Sequence, residues 1–341
     1  MLDYQIKLLE AKIRGVKVNE LFVIKEGFNT EQKELLESHI AKLESGYPLD
    51  YLLGEIQILG LRLKLNENVL IPRPETEEWL LEFGKSKLHP QLEWGSPTTK
   101  NFNQSKKYRH PELVSGSPTT ENGSPIKINQ NLLVDLGCGS GVIGLYLAQY
   151  YNQVYALDIS PKALEIGKQN AGSNEIKNVK FFLSDGLSSL SFREAVEEFL
   201  LASQANWTLV ANLPYLPQKD KLDEDEHKVK HEPDLALYSG DDGLDLFRKV
   251  LMELESFNTK PTQVIFELDP RNISIAKGQL ENVEYETLIW VDSGGHDRVL
   301  IGNYNKTSLR VDPQYPIGMH RTLTTKKTLE SVVVDPETSS G

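Results

Sequence analysis

The stretch that most limits the possible folds is Leu132-Leu133-Val134-Asp135-Leu136 running into Gly137-Cys138-Gly139-Ser140-Gly141. Five residues with one polar side chain read as a buried strand, because a strand covered on both faces is apolar nearly throughout. The glycines let the backbone approach a ligand where a Cβ would collide. Val142, Ile143, Leu145, Leu147 and Ala148 then continue as a helix whose first N–H groups have no partner in the helix itself. A second apolar run, 154–157, ends at Asp158, a carboxylate placed to accept the hydroxyls of a ribose. Strand, glycine loop, helix, strand and terminal acid make one mononucleotide-binding unit.

The alternation continues along the chain. Helix 161–170 is followed by strand 179–183, which ends at Ser184-Asp185, and helix 192–201 precedes strand 207–211, which ends at Asn212. A helix over 247–254, a strand over 263–268 and a closing antiparallel pair over 283–291 and 298–301 complete the pattern. This implies an α/β fold with a doubly wound, mostly parallel sheet. In such sheets ligands sit at the carboxyl ends of the strands, beside the switch in strand order. Asp135, Asp158, Asp185 and Asn212 are therefore expected along one edge.

The flanking segments differ in character. Residues 1–46 read as a small helical domain, with Leu35, Leu36, Ile40 and Leu43 as a helical stripe, Thr30 as N-cap and Gly46 as stop. Residues 47–71 read as a β-hairpin linker, with Ile56, Ile58, Leu61, Leu63 and Leu65 alternating around Gly60. The main domain is expected over 72–304. It opens with Pro72-Arg73-Pro74-Glu75-Thr76-Glu77, a stiff extended entry to a helix reaching about residue 88, with Glu75 and Glu77 suited to its first turn. Within it, residues 95–128 repeat Gly-Ser-Pro-Thr-Thr and show no apolar period, so they read as a low-complexity insertion. Residues 305–341 read as a flexible tail.

A net charge of −12 speaks against direct nucleic-acid binding, which needs basic patches. The single cysteine, Cys138, excludes an internal disulfide framework and a cysteine-rich metal site, and no metal is expected. No signal-type or membrane-spanning apolar run occurs, so a cytoplasmic enzyme with no membrane partner is the expectation.

Two cofactors fit the glycine loop. Gly139-x-Gly141-x-x-Gly144 matches the dinucleotide fingerprint, so an NAD-dependent dehydrogenase is one reading. Asp135 favours the other, because a carboxylate at the loop entrance suits the cationic end of S-adenosyl-L-methionine better than a pyrophosphate. Asp185 is then placed for the adenine amino group, and Cys138 is a small filler.

The second polar strand end is Asn212-Leu213-Pro214-Tyr215. A planar amide or aromatic amine is a poor nucleophile and is activated by positioning rather than by a strong base. The Asn212 side-chain oxygen can accept one N–H of such a group and the Leu213 carbonyl the other. Pro214 fixes the turn, and Tyr215 walls the plane. A non-catalytic protein that binds the cofactor and a partner is the alternative outside enzymes.

These pieces resemble the bacterial protein-(glutamine-N5) methyltransferases of peptide chain release factors, the HemK or PrmC family. The matching segments are Tyr47 to Gly54, Ile71-Pro72-Arg73-Pro74-Glu75-Thr76-Glu77, Val134 to Gly141, Asn212 to Tyr215, Glu232-Pro233-Asp234-Leu235-Ala236-Leu237 with Asp242-Gly243-Leu244, and Gly295-His296-Asp297-Arg298-Val299. They occur in family order over residues 1–304. The resemblance implies a Rossmann-like class I methyltransferase fold. It further implies that Asp135, Gly137, Cys138, Gly139, Ser140, Gly141, Asp158, Asp185, Gly186 and Asn212 bind S-adenosyl-L-methionine. Asn212, Pro214 and Tyr215 would be catalytic, and Asn212, Leu213, Pro214, Tyr215, Arg73 and Glu75 would hold the glutamine of a release factor's Gly-Gly-Gln loop. The chain departs from the family at Leu213, where Pro is usual, and at Gly186, where Trp is frequent. Asn-Leu-Pro-Tyr also occurs in rRNA adenine dimethyltransferases, so adenine N6 and a ribosomal-protein glutamine stand as alternative substrates.

Overall fold

In the computed structural model, which describes residues 2–88, 131–222 and 229–304, the chain begins with α1 (Leu2–Arg14), a 3₁₀ turn and α2 (Thr30–Glu44). Asn29, not Thr30, caps α2. Its Oδ1 accepts from the Gln32 N–H at 2.8 Å while its own N–H donates to Gln32 Oε1, a reciprocal box that Thr30 is one residue too late to make. The chain leaves this helix through Gly46, which adopts the left-handed conformation expected of a stop (φ +87°). The apolar stripe is less buried than its spacing implies: no residue of α2 is fully buried, and Leu35 is exposed.

A short helix α3 (Leu49–Leu53) leads into the hairpin β1 (Glu55–Ile58) and β2 (Leu61–Lys64). Its two turn residues, Leu59 and Gly60, both have positive φ (55° and 78°), the backbone that matches the twist of paired strands. The hairpin is fastened to the main sheet's first layer of helices by two asparagines. Asn170 Oδ1 accepts the Lys64 N–H at 2.7 Å and Asn174 Oδ1 the Arg62 N–H at 3.0 Å. Their amide groups donate back to the carbonyls of the same two residues, so the edge of β2 is closed without another strand.

After α4 (Pro74–Leu88) and the next described residue, Asn131, the mononucleotide unit runs as β3 (Leu132–Leu136), α5 (Val142–Leu147), β4 (Gln153–Asp158), α6 (Pro161–Ser173) and β5 (Val179–Leu183). Then follow α7 (Leu190–Ser203), β6 (Trp207–Asn212), α8 (Asp245–Glu255), β7 (Gln263–Glu267), α9 (Ile273–Asn282), β8 (Tyr285–Val291) and β9 (Asp297–Tyr304). Helix α9 is not anticipated by the sequence pattern. Ile273, Ala276 and Leu280 bury one face of it, but only these three apolar residues mark that face, and Gly278 interrupts the propensity. The 95–128 insertion and the 305–341 tail lie outside the described residues.

The seven-stranded sheet has the order β5-β4-β3-β6-β7-β9-β8, parallel from β5 to β7, with β9 and β8 antiparallel at one edge. The order reverses between β3 and β6, so the topological switch opens beside the glycine loop and Asn212. Side-chain alternation then sets what faces what. Leu132, Val134, Trp207, Leu209, Ala211, Val264 and Phe266 point to one core with α7, α8 and α9. Leu133, Val210 and Ile265 point to the opposite core with Trp79, Leu80 and Phe83 of α4 and with α5. Asp135, Asn212 and Glu267 fall in the same alternation as this second set, so all three polar groups face the layer that α4 covers.

Candidate active site

Each strand end contributes one element of the site. At β3 the chain turns through Gly137, Gly139 and Gly141, all with positive φ (73°, 51° and 85°), a path that non-glycine residues rarely follow. A Cβ on Gly139 would meet no protein atom within 4 Å, so the loop presents bare backbone to the cleft. The Gly139 N–H donates to Asp158 Oδ2 at 2.9 Å, and the Ser160 N–H to its Oδ1, so the acid at the end of β4 also fixes the glycine loop. Burial raises the Asp158 carboxyl above its ordinary value, and those N–H groups pull it back. Behind the loop Asn170 donates to the Ser140 carbonyl at 2.9 Å, tying the loop to the hairpin through one fully buried side chain.

Asp135 is completely buried. Its Oδ2 accepts the Gly144 N–H at 2.8 Å, and its Oδ1 has no partner. Burial pushes its carboxyl from 3.8 up to about 7, and the nearby Asp158 charge adds to the rise. The same burial, with Asp135 and Asp158 close by, raises the Cys138 thiol and holds it in its neutral form.

These groups open into a cleft of about 1340 Å³ of empty space, open solvent included. The cleft brings together Gly137, Cys138, Gly139, Ser140, Asp158, Asp185, Gly186, Asn212, Leu213, Pro214 and Arg73 from the residues named above. Tyr215 lines a smaller adjoining hollow with Arg73 and Asn212, and burial holds its phenol well above the usual value, in the neutral form. Gly141 and Asp135 do not line the cleft. Glu75 is not among the lining residues; its neighbour Thr76 is.

Four features were not legible beforehand. Lys249 of α8 pairs with the Asp185 carboxylate, which balances that acid at the far end of the cleft. Gly186 has φ +67°, a backbone that L side chains rarely adopt, and a Cβ there would lie 2.4 Å from Glu253 Oε2, so any side chain at this position would be strained and would displace Glu253. Arg73 donates to Glu232 at 2.8 Å, and the Ile71 N–H donates to the same buried carboxylate, so the Glu-Pro block clamps the Pro-Arg-Pro entry of α4. His231 packs against Tyr47 with the rings tilted at 55° and their centroids 5.0 Å apart.

Asn212 is held by α4. Its Nδ2 lies 3.4 Å from Thr76 Oγ1, and its Oδ1 is buried without a partner. Thr76 in turn donates to Glu267, at 3.0 and 2.8 Å from the two carboxylate oxygens, and Trp79 Nε1 donates to Glu267 Oε2 at 2.7 Å.

The doubly wound sheet, its glycine loop and the acids at successive strand ends define a class I S-adenosylmethionine-dependent methyltransferase. Residues 129–199 match the family model described as "Methyltransferase domain". The chain belongs to the release factor glutamine methyltransferase family: it is 30% identical over 253 residues to the release factor glutamine methyltransferase of Deinococcus radiodurans, covering 74% of this chain and 72% of that protein. The corresponding protein of Bacillus anthracis is 28% identical over 292 residues, 82% of this chain and 84% of that one. Among solved structures, a ribosomal protein L11 methylase from Lactobacillus delbrueckii subsp. bulgaricus superposes with TM-score 0.36 and 16% identity, over 52% of this chain and 73% of that one. Membership of the family sets aside the dehydrogenase and the non-catalytic readings. Among the described residues no helix is long and apolar enough to cross a membrane.

Proposed function

We propose that this protein transfers a methyl group from S-adenosyl-L-methionine to the side-chain amide nitrogen of the glutamine in the Gly-Gly-Gln loop of a peptide chain release factor. The observation that carries the reading is the buried, unpartnered Oδ1 of Asn212 beside the glycine loop. A buried acceptor without a donor is costly, and a ligand N–H is the natural remedy.

The residues present fit the cofactor. The unpartnered Asp135 Oδ1 leaves negative charge under the loop for a cation, the Gly139 backbone is open, and Asp158 keeps lone pairs for ribose hydroxyls. When bound, S-adenosyl-L-methionine supplies an electrophilic methyl group. Asn212 Oδ1 and the Leu213 carbonyl each accept one N–H of the glutamine amide, and the nitrogen lone pair is thereby turned out of the acceptor plane. Pro214 has no N–H to compete, and Tyr215 bounds the adjoining hollow. No strongly basic group is needed, because the amide proton leaves to water once its nitrogen carries the methyl.

Residues 72–304 form the methyltransferase domain in this proposal, 47–71 the linker and 1–46 the surface that grips the release factor. Phe22 and Val23 are each 77% exposed there, apolar area that the described residues leave largely open. Incubation of the protein with a release factor, and in parallel with rRNA, in the presence of methyl-labelled S-adenosyl-L-methionine tests the reading. Label is expected in the release factor, and label appearing instead in rRNA adenine would replace the reading with the adenine one.

A further inference from the structure

We infer that Thr76 and Glu267 are positioning residues that fix which way round the Asn212 side-chain amide sits. The argument follows the direction of each hydrogen bond. Asn212 and Glu267 are register partners on adjacent parallel strands, β6 and β7, and Thr76 of α4 lies over both. Glu267 is 1% exposed; burial raises its carboxyl, while the Trp79 N–H, the Thr76 hydroxyl and the Arg298 charge favour the ionised form, and as a carboxylate it only accepts. It takes the N–H of Trp79 and the single hydroxyl hydrogen of Thr76. With its hydrogen committed, Thr76 Oγ1 offers only lone pairs to Asn212, so the atom of Asn212 that faces it must be the donor, Nδ2. A flipped amide would set Oδ1 against those lone pairs. The buried carboxylate thus dictates, through one hydroxyl, that the Asn212 nitrogen faces Thr76 and that its oxygen is left, buried and unpartnered, for an N–H donor.

That polarity is what an acceptor site for an N–H₂ group requires. A flipped Asn212 would present two N–H groups to the cleft and repel an amide nitrogen. The chain of donors also accounts for an acid rather than an amide at position 267. In Glu267→Gln the introduced amide would keep its oxygen for Trp79 but donate an N–H to Thr76. The hydroxyl hydrogen would then turn toward Asn212 and select the flipped amide. The activity part of this inference rests on the glutamine reading, whereas the orientation itself does not.

The test uses full-length protein labelled with ¹⁵N at asparagine, with the Asn212 side-chain signal assigned by its loss in Asn212→Ala. Hydrogen exchange of that amide is measured in the parent, Thr76→Val, Thr76→Ser and Glu267→Gln, alongside kcat and KM for a release factor and the affinity for S-adenosyl-L-methionine. In Thr76→Val and Glu267→Gln the Asn212 amide should exchange at least about tenfold faster while β6 backbone amides stay protected. In the same two variants kcat should fall between about tenfold and 100-fold, with KM and cofactor affinity little changed. Thr76→Ser keeps the hydroxyl and should restore both readouts. Unchanged exchange in the two variants, or faster exchange with unaltered kcat, overturns the inference. If the parent shows the exchange pattern but transfers no methyl to a release factor, the substrate reading fails and the orientation stands.

Discussion

Asp135 supplies a prediction in which the size of the effect comes from the site itself. Its folded-state carboxyl is raised from 3.8 to about 7 by complete burial, with Asp158 adding to the rise. A raised value means that the folded protein holds this proton more tightly than the unfolded chain does. The stability linked to Asp135 is therefore fully present below about pH 4 and is lost as the pH rises through about 7. A difference of about three units corresponds to about 4 kcal/mol. Asp135→Asn removes the titration while keeping an oxygen for the Gly144 N–H. Urea unfolding of both proteins across this pH range isolates Asp135 together with its coupling to Asp158, since the titrations of groups remote from it cancel in the difference. The variant should gain on the parent by up to about 4 kcal/mol between pH 4 and pH 8. A bound cation would hold Asp135 ionised, so S-adenosyl-L-methionine should bind about tenfold more weakly near pH 6 than near pH 8, with proton release on binding. Stability curves that run parallel in the two proteins, or binding independent of pH in the parent, would refute the reasoning.

Other sites give further expectations. Asn212→Ala should lower methyl transfer by on the order of 100-fold with cofactor affinity largely kept, and Leu213→Pro should be nearly neutral because the carbonyl remains, both by steady-state kinetics with a calorimetric check. Arg73→Ala strands the Glu232 side chain, 1% exposed, without its cation and should cost about 3 kcal/mol in urea unfolding; a loss within experimental scatter of zero would show that the pair is not holding the entry of α4. Gly186→Ala forces a Cβ into a left-handed backbone against Glu253 and should lower the unfolding free energy by about 1–2 kcal/mol; an unchanged melting curve would contradict the steric argument.

The sheet was legible because its strands are short, apolar and bounded by polar ends, so the ends of β3, β4, β5 and β6 named Asp135, Asp158, Asp185 and Asn212, which lie at or under the cleft. Asp158 and Asn212 needed no knowledge of distant contacts, since a parallel strand delivers its last side chain to one edge of the sheet. Thr76, Lys249 and Glu267 were hidden for the opposite reason. Thr76 meets Asn212 across 136 residues and Glu267 across 191, and nothing local distinguishes it from the other first-turn residues of α4. Glu75, which suits the helix dipole as well as any acid does, stays outside the cleft because its neighbour takes the inward position. Helix α9 escaped notice because three buried residues in ten are a weak period, and the strand β8 that follows it is strongly apolar. The cap of α2 moved by one residue because reciprocal side-chain bonding, not residue type alone, decides where a helix starts.

The central claim, that the Asn212 site presents a glutamine amide for methylation, is tested most directly by tandem mass spectrometry of a release factor treated with this protein and S-adenosyl-L-methionine. The added methyl should sit on the side-chain nitrogen of the Gly-Gly-Gln glutamine, and it should vanish when that glutamine is replaced by alanine or when Asn212 is. Methylation at the parent rate on the alanine-substituted release factor, or normal methylation by the Asn212→Ala protein, would contradict the account.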